Sequence, residues 1–171
     1  MKIVIAGSGE VGTHLAKLLS REEQDIMLVD LNREKLAGID ANYNLMTCQG
    51  SPVSFRTLRD AGVERCDLFI AVTPYETANV TACAIAKSIG AQKTVARIDN
   101  YEFMSAENRE FFTRIGVNHL IYPEYLAAQE IITALDRSWV RNWFELHDGE
   151  LILIGVKLRD NARLIGMQLR E

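Results

Sequence analysis

The chain has only three cysteines and three histidines in 171 residues, and each scarcity excludes something. Cys48, Cys66 and Cys83 form no Cys-x-x-Cys motif and no even-numbered framework, which argues against a secreted disulfide scaffold and for a reduced, cytoplasmic setting. None has basic neighbours arranged to lower its pKa, so a catalytic thiol is not indicated. His14, His119 and His147 fall in different segments, without the spacing of a metal site or of a base oriented by a carboxylate. No apolar run approaches the ~20 residues of a membrane span, and Met1-Lys2 leads into a strand-length run unlike a signal peptide. Any membrane connection is therefore expected through a partner. A basic excess is lacking too: the net charge of −4 and pI near 5.5 argue against nucleic acid, whose phosphates need a dense basic face.

What the chain does have is a glycine loop at its start. Ile3-Val4-Ile5 is a β-branched run, glycines follow at 7, 9 and 12, and Leu15, Ala16, Leu18 and Leu19 come after. That order reads as strand, tight turn, helix. In a dinucleotide fold Gly7 permits the turn, Gly9 lets the backbone approach a pyrophosphate, and Gly12 lets the helix press on the sheet. The phosphates then rest on the helix N-terminus, where free N–H groups and the macrodipole favour negative charge. A second apolar run, Ile26 to Val29, ends in Asp30 at about the ~20-residue spacing of a ribose-binding carboxylate. Asp30 can alternatively cap the helix that starts near Asn32.

The rest of the chain alternates strand and helix. An amphipathic helix over Asn32 to Ala41 precedes a strand from Tyr43 to Cys48, the Gln49-Gly50-Ser51-Pro52 turn, and a helix that carries Phe55, Leu58 and Ala61 inward. Asp67 to Val72 is a continuous apolar strand of the kind a sheet buried on both faces requires. Glu76 to Ile89 is a helix stopped by Gly90, Thr94 to Ile98 a strand holding Arg97, and Asp99-Asn100 caps a helix with Phe103, Met104, Phe111, Phe112 and Ile115 on its apolar face. A strand from Val117 to Ile121 and a helix from Pro123 to Arg137 follow. This alternation implies an α/β fold, a doubly wound parallel Rossmann sheet with ligands at the carboxyl ends of its strands. From Ser138 the pattern changes to two strand-like runs about His147-Asp148-Gly149-Glu150, a hairpin signal, so residues 138–171 read as the beginning of a small α+β domain after a nucleotide-binding domain over 1–137.

These motifs together resemble the KTN (RCK) nucleotide-binding domains of TrkA-type potassium-uptake regulatory subunits. The resemblance rests on Gly7-Ser8-Gly9-Glu10-Val11-Gly12, Asp30, Gln49-Gly50-Ser51, Ala71-Val72-Thr73 with Glu76 and Asn79, Val95-Ala96-Arg97-Ile98, and Ile121-Tyr122-Pro123-Glu124. It implies that the 7–12 loop holds a pyrophosphate, Asp30 a ribose, and Arg97 the vicinity of the phosphates, with Thr73, Glu76 and Asn79 facing the ligand's other end. Ser51 departs from an aspartate common in relatives, which weakens adenine recognition there. The tail, with Leu164-Ile165-Gly166, is similar to the opening of a TrkA C-terminal (RCK-C) domain, so the chain is expected to be part of a longer protein. The family implies NAD(H), or ADP or ATP, as ligand. It also implies a homodimer or ring of dimers, cytoplasmic at the inner face of the membrane, gating a TrkH- or TrkG-like potassium transporter subunit by ligand-dependent conformational change.

Two residues bear on which ligand fits. Arg97 is open to two readings, a salt bridge at a strand end or a guanidinium that bonds two phosphate oxygens at once. Glu10 places negative charge in the loop and disfavours an added terminal phosphate, which tilts the expectation toward NAD(H) or a diphosphate. The competing class is a nicotinamide-dependent dehydrogenase seen without its substrate domain. The short hairpin region after the sheet favours a regulatory module that is not an enzyme. The aromatic helix over Phe103 to Ile115 and the helix over Pro123 to Arg137 are the expected surfaces of self-association.

Overall fold

A computed structural model describes residues 1–22, 24–40, 45–136, 140–147, 149–160, 162–163 and 165–168. The expected strand start at Tyr43, the domain junction at 137 and 138, Asp148 of the hairpin turn and Leu164 lie outside those residues. Among them, six parallel strands form one sheet: β1 (Lys2–Ala6), β2 (Asp25–Asp30), β3 (Met46–Gln49), β4 (Leu68–Ala71), β5 (Lys93–Arg97) and β6 (His119–Ile121). Their order is β3-β2-β1-β4-β5-β6, so the chain moves outward in one direction, returns to the centre and moves outward in the other. The switch lies between β1 and β4, where a doubly wound sheet leaves a crevice at its carboxyl edge.

The sheet is buried on both faces, and the alternation of β1 shows how. Val4 and Ala6 belong to one core cluster with Val29, Phe69, Leu58 and Ala82, while Ile3 and Ile5 belong to another with Ile26, Leu28, Leu36 and Ile70. Successive residues of a strand point to opposite faces, so an unbroken apolar run is what two covered faces demand. The covering helices are α1 (Glu10–Ser20), α2 (Arg33–Asp40), α3 (Phe55–Asp60), α4 (Glu76–Ile89) and α5 (Ala106–Arg114). α2 starts where expected, because the Asn32 side chain accepts the N–H groups of Glu34 and Lys35 at 2.9 and 3.1 Å. α4 ends at Gly90, whose φ of 139° favours glycine over any side chain.

Two expectations are corrected. Phe55 does not face inward: it is 49% exposed at the first position of the short α3, with the Arg59 guanidinium 5.9 Å from its ring centroid. The segment after Asp99-Asn100 is not one helix. Asn100 accepts the Glu102 N–H at 3.0 Å and starts a 3-10 turn over Tyr101–Met104, and the extended backbone of Ser105 separates that turn from α5. Phe112 alone of the expected aromatics is fully taken into the core, where it meets Phe103 and Phe111.

By its internal packing the chain divides into two compact units, Met1–Glu124 and Tyr125–Glu171. The division falls at the first turn of α6 (Pro123–Asp136), whose Leu126, Ile131, Ile132 and Leu135 are exposed. The second unit also contains an antiparallel hairpin, β7 (Asn142–Leu146) and β8 (Leu151–Gly155), in the register Trp143↔Ile154 and Glu145↔Ile152.

Candidate functional site

The carboxyl ends of β1, β2 and β4 meet around the glycine loop. Gly7 has φ of 110°, and its N–H donates to the Val29 carbonyl at 2.8 Å. A Cβ there would stand 3.0 Å from the Thr73 nitrogen, so β1 can approach the end of β4 only without a side chain. At Gly12 a Cβ would collide with the Gly7 carbonyl oxygen, which is how α1 packs so closely on the loop. Gly9 differs: it is the N-cap of α1, and a Cβ on it would meet nothing within 4 Å. Space in front of Gly9 is therefore open, as the approach of a phosphate to a helix N-terminus requires.

Asp30 ends β2 beside that loop. Its carboxylate accepts the Ser8 N–H at 2.6 Å and the Asn32 N–H at 2.8 Å, so it both braces the glycine loop and caps the turn into α2. Burial acts to raise its pKa, but the Asn32 and Ser8 N–H groups and the Lys35 charge outweigh burial and hold it below the usual carboxylate value. Asp30 is thus a fixed anion, and each oxygen keeps lone pairs for a sugar hydroxyl.

Two clefts flank the loop. The first, of about 420 Å³, has Asp30, Lys35, Ser51 and Thr73 as polar groups among apolar residues that include Leu31, Pro52, Val53, Pro74 and Tyr75, and Lys35 borders both clefts. The second, of about 510 Å³, lies on the α1 and α2 side and is lined by Ser8, Gly9, Glu10, Thr13, His14, Lys17, Lys35 and Ile39. Glu10 therefore faces the second cleft, with Lys17 and Lys35, and Val11 points outward on α1. Leu31, Val53 and Tyr75 escaped the sequence reading. The signal that could have found them is an exposed apolar residue directly after a strand-end Asp, in the Ser51 turn and after Thr73.

Glu76, Asn79 and Arg97 sit at the same edge but line neither cleft. Asn79 is 1% exposed. Its Oδ1 accepts the N–H and the hydroxyl of Thr73 at 2.9 and 2.6 Å, and its Nδ2 donates to the carbonyls of Thr73 and Arg97, both at 2.9 Å. It latches the end of β4 to the end of β5 and acts by positioning Thr73. Glu76 accepts the N–H groups of Asp99 and Asn100 at 2.8 and 2.9 Å through one oxygen. Arg97 makes the salt bridges of its first reading, from Nη2 to Asp99 at 3.4 Å and to Glu124 at 3.6 Å.

The thiols lie elsewhere and are far from activated. Burial pushes Cys66 up to about 11 and Cys83 up to about 12. Among the described residues no group of three or more His, Cys, Asp or Glu side chains could hold a metal ion. No described helix is long and apolar enough to cross a membrane.

The strand order, the glycine loop and the carboxylate at the end of β2 define a Rossmann-type α/β domain. Residues 3–123 match the TrkA-N domain family, and the chain belongs to it. It is 34% identical over 171 residues to the Trk system potassium uptake protein TrkA of Haemophilus influenzae, covering 99% of this chain and 37% of that protein. The chain thus spans little more than a third of that relative's length. Among solved structures it is similar to the TrkA-N domain of the inner membrane protein ybaL from Escherichia coli, with TM-score 0.69 at 17% identity over 78% of this chain and 96% of that one. It is also similar to the GsuK channel bound to NAD, with TM-score 0.65 at 15% identity over 76% of this chain and 23% of that one. GsuK bound to ADP matches with TM-score 0.61 at 20% identity over 80% and 34% of the two chains.

Proposed function

We propose that this chain is the nucleotide-binding part of a regulatory subunit for Trk-type potassium uptake, with NAD(H), or ADP or ATP, as its ligand. The observation that carries the reading is the fixed Asp30 carboxylate between the open approach at Gly9 and the apolar cleft walled by Leu31, Val53 and Tyr75. In it the ribose hydroxyls bond Asp30, the base lies in the cleft, and the phosphates meet α1 at Gly9. The similar GsuK channel binds NAD and ADP, and the Haemophilus influenzae relative is a potassium uptake protein, which supports the ligand and the setting.

The finer reading places the protein in the cytoplasm, held at the inner face of the membrane by a TrkH- or TrkG-like transporter subunit. Residues 1–137 form the nucleotide-binding domain and 138–171 open a C-terminal domain. The chain associates with itself as a dimer or ring of dimers, and the exposed Leu126, Ile131, Ile132 and Leu135 of α6 support that. The ligand is read without covalent chemistry, by its different affinity for two states of the subunit. Calorimetry with NAD+, NADH, ADP and ATP tests the reading, with saturable binding expected for at least one and its loss in Asp30→Ala. No binding by any of the four overturns it. Consumption of NADH with a panel of oxo-acids would transfer the chain to the dehydrogenase class.

A further inference from the structure

Away from the glycine loop, a cleft of about 360 Å³ opens between α4 and α5. Thr77 and Thr81 reach it from α4, Glu102 and Phe103 from the 3-10 turn, and Phe111 and Phe112 from α5. It shares no lining residue with the two clefts beside the loop. The rings are inclined, not stacked: Phe103 and Phe112 meet at 49° with centroids 4.9 Å apart, and Phe111 and Phe112 at 81° and 5.2 Å. They wall a corner, in which Phe111 is 50% exposed, so ring surface is left for a ligand.

Glu102 is the one charged side chain among the described residues of that wall. Its main chain is held on both sides, the N–H donating to Asn100 Oδ1 at 3.0 Å and the carbonyl accepting from Asn108 Nδ2 at 2.9 Å. Its carboxylate, by contrast, has no ion pair among the described residues. Arg109, next along α5, lines a different cleft. The Thr81 hydroxyl donates to the Thr77 carbonyl at 2.7 Å, so it offers the cleft an oxygen and keeps its proton inside the helix. An anion finds no positive partner here.

We propose that this corner is a second binding site, for a small organic cation of the quaternary ammonium type, seated on the three phenylalanine rings with Glu102 as its counter-charge. It is independent of the nucleotide reading. Methyl groups on nitrogen pack against the rings, and the positive charge they spread is drawn both to the ring quadrupoles and to the carboxylate. A hard metal ion would need several oxygen ligands where the wall supplies one carboxylate, so the rings select a weakly hydrated cation.

The test uses choline and its uncharged isostere, the alcohol with tert-butyl in place of trimethylammonium, each titrated by calorimetry into the whole chain. Choline should bind saturably and about five-fold more tightly than the isostere. Glu102→Gln should erase that advantage by weakening choline alone. Phe111→Leu, which keeps apolar bulk but removes a ring, should weaken choline about three-fold and leave the isostere nearly unchanged. Both side chains are exposed, so both variants should melt with wild type. Equal affinity for choline and the isostere, or choline binding untouched in Glu102→Gln, would reduce the corner to an apolar hollow and overturn the proposal. Absence of saturable choline binding would overturn it too, and protection of Phe111 that grows with chain concentration would then assign the corner to a second copy.

Discussion

Leu58 and Leu135 are both helical leucines, yet the first is wholly buried and the second is 73% exposed. The contrast holds for their surroundings. In Met1–Glu124 the apolar residues of the strands close into two cores on either side of the sheet. In Tyr125–Glu171, Phe144, Leu146, Leu151, Leu153 and Ile154 of the hairpin are exposed along with the apolar residues of α6. A sheet covered on both faces buries enough apolar surface to stand alone, whereas a lone two-stranded hairpin is marginal in water. The first unit is therefore built to hold its site rigidly. The second carries the surface a partner would cover.

The largest expected effect lies in the glycine loop of the first unit. Gly12→Ala drives a Cβ into the Gly7 carbonyl oxygen, backbone against backbone, and should cost about 4 kcal/mol in a urea melt. Gly9→Val puts its Cβ where nothing lies within 4 Å, so it should cost only about 1 kcal/mol through the poorer N-cap, far less than Gly12→Ala, while nucleotide binding disappears. A Gly9 variant that still bound would move the phosphates away from α1. Asn79→Ala comes next. It strips the partners of Thr73 and of the Arg97 carbonyl in a buried place, at an expected cost of about 2–3 kcal/mol, and should weaken binding because Thr73 is set free. Unchanged affinity in a folded Asn79→Ala would show that Thr73 takes no part.

Asp30→Asn should cost about 1–2 kcal/mol, because the amide accepts only one of the Ser8 and Asn32 N–H groups and turns a donor toward the other. The sign with pH follows from the lowered pKa. The stability Asp30 contributes is fully present above the unfolded carboxylate value of about 3.9 and is lost as pH falls through the lower folded value. The gap between wild type and Asp30→Asn should thus be constant from neutral pH to about 5 and close only in stronger acid. Asp30 also opposes a 2′-phosphate, so wild type should prefer NAD over NADP and the asparagine variant should lose that preference. Equal affinity of wild type for the two would remove the ribose role.

How much of this was legible in the chain follows the same division. Central strands buried on both faces announce themselves as unbroken apolar runs, and glycines with positive φ punctuate the helices, so β1, β2 and β4 could be placed from the chain and α4 read to its ends, whereas the shorter, less apolar β3 and β6 are placed less closely. The 3-10 turn before α5 could not be read, because it depends on one asparagine closing a local hydrogen bond where a helix cap was equally compatible. Nor could the part played by Asn79, whose partners at Thr73 and Arg97 meet only after β4 and β5 pair. Residues whose work is local are readable, and those that join distant loops are not. Tyr75 shows a third case: its ring serves no core, so no periodicity marks it.

The smallest expected effect on stability is at Leu135, and it tests the contrast most directly. Its side chain is already mostly in water, so Leu135→Ser removes little buried apolar area and should change the unfolding free energy by less than about 0.5 kcal/mol in dilute solution. If α6 meets a second copy of the chain, the same substitution removes an apolar anchor from that contact. Sedimentation at rising concentration should then show wild type associating and the variant remaining smaller, with the melting midpoint of wild type alone rising with concentration, since association stabilises by mass action. The dilute and concentrated measurements must therefore be read together. A loss of several kcal/mol in dilute Leu135→Ser would mean that α6 belongs to a core after all, and the two units would differ less than their exposure suggests. A wild type that stays monomeric at every concentration would leave the apolar face of α6 to a different protein.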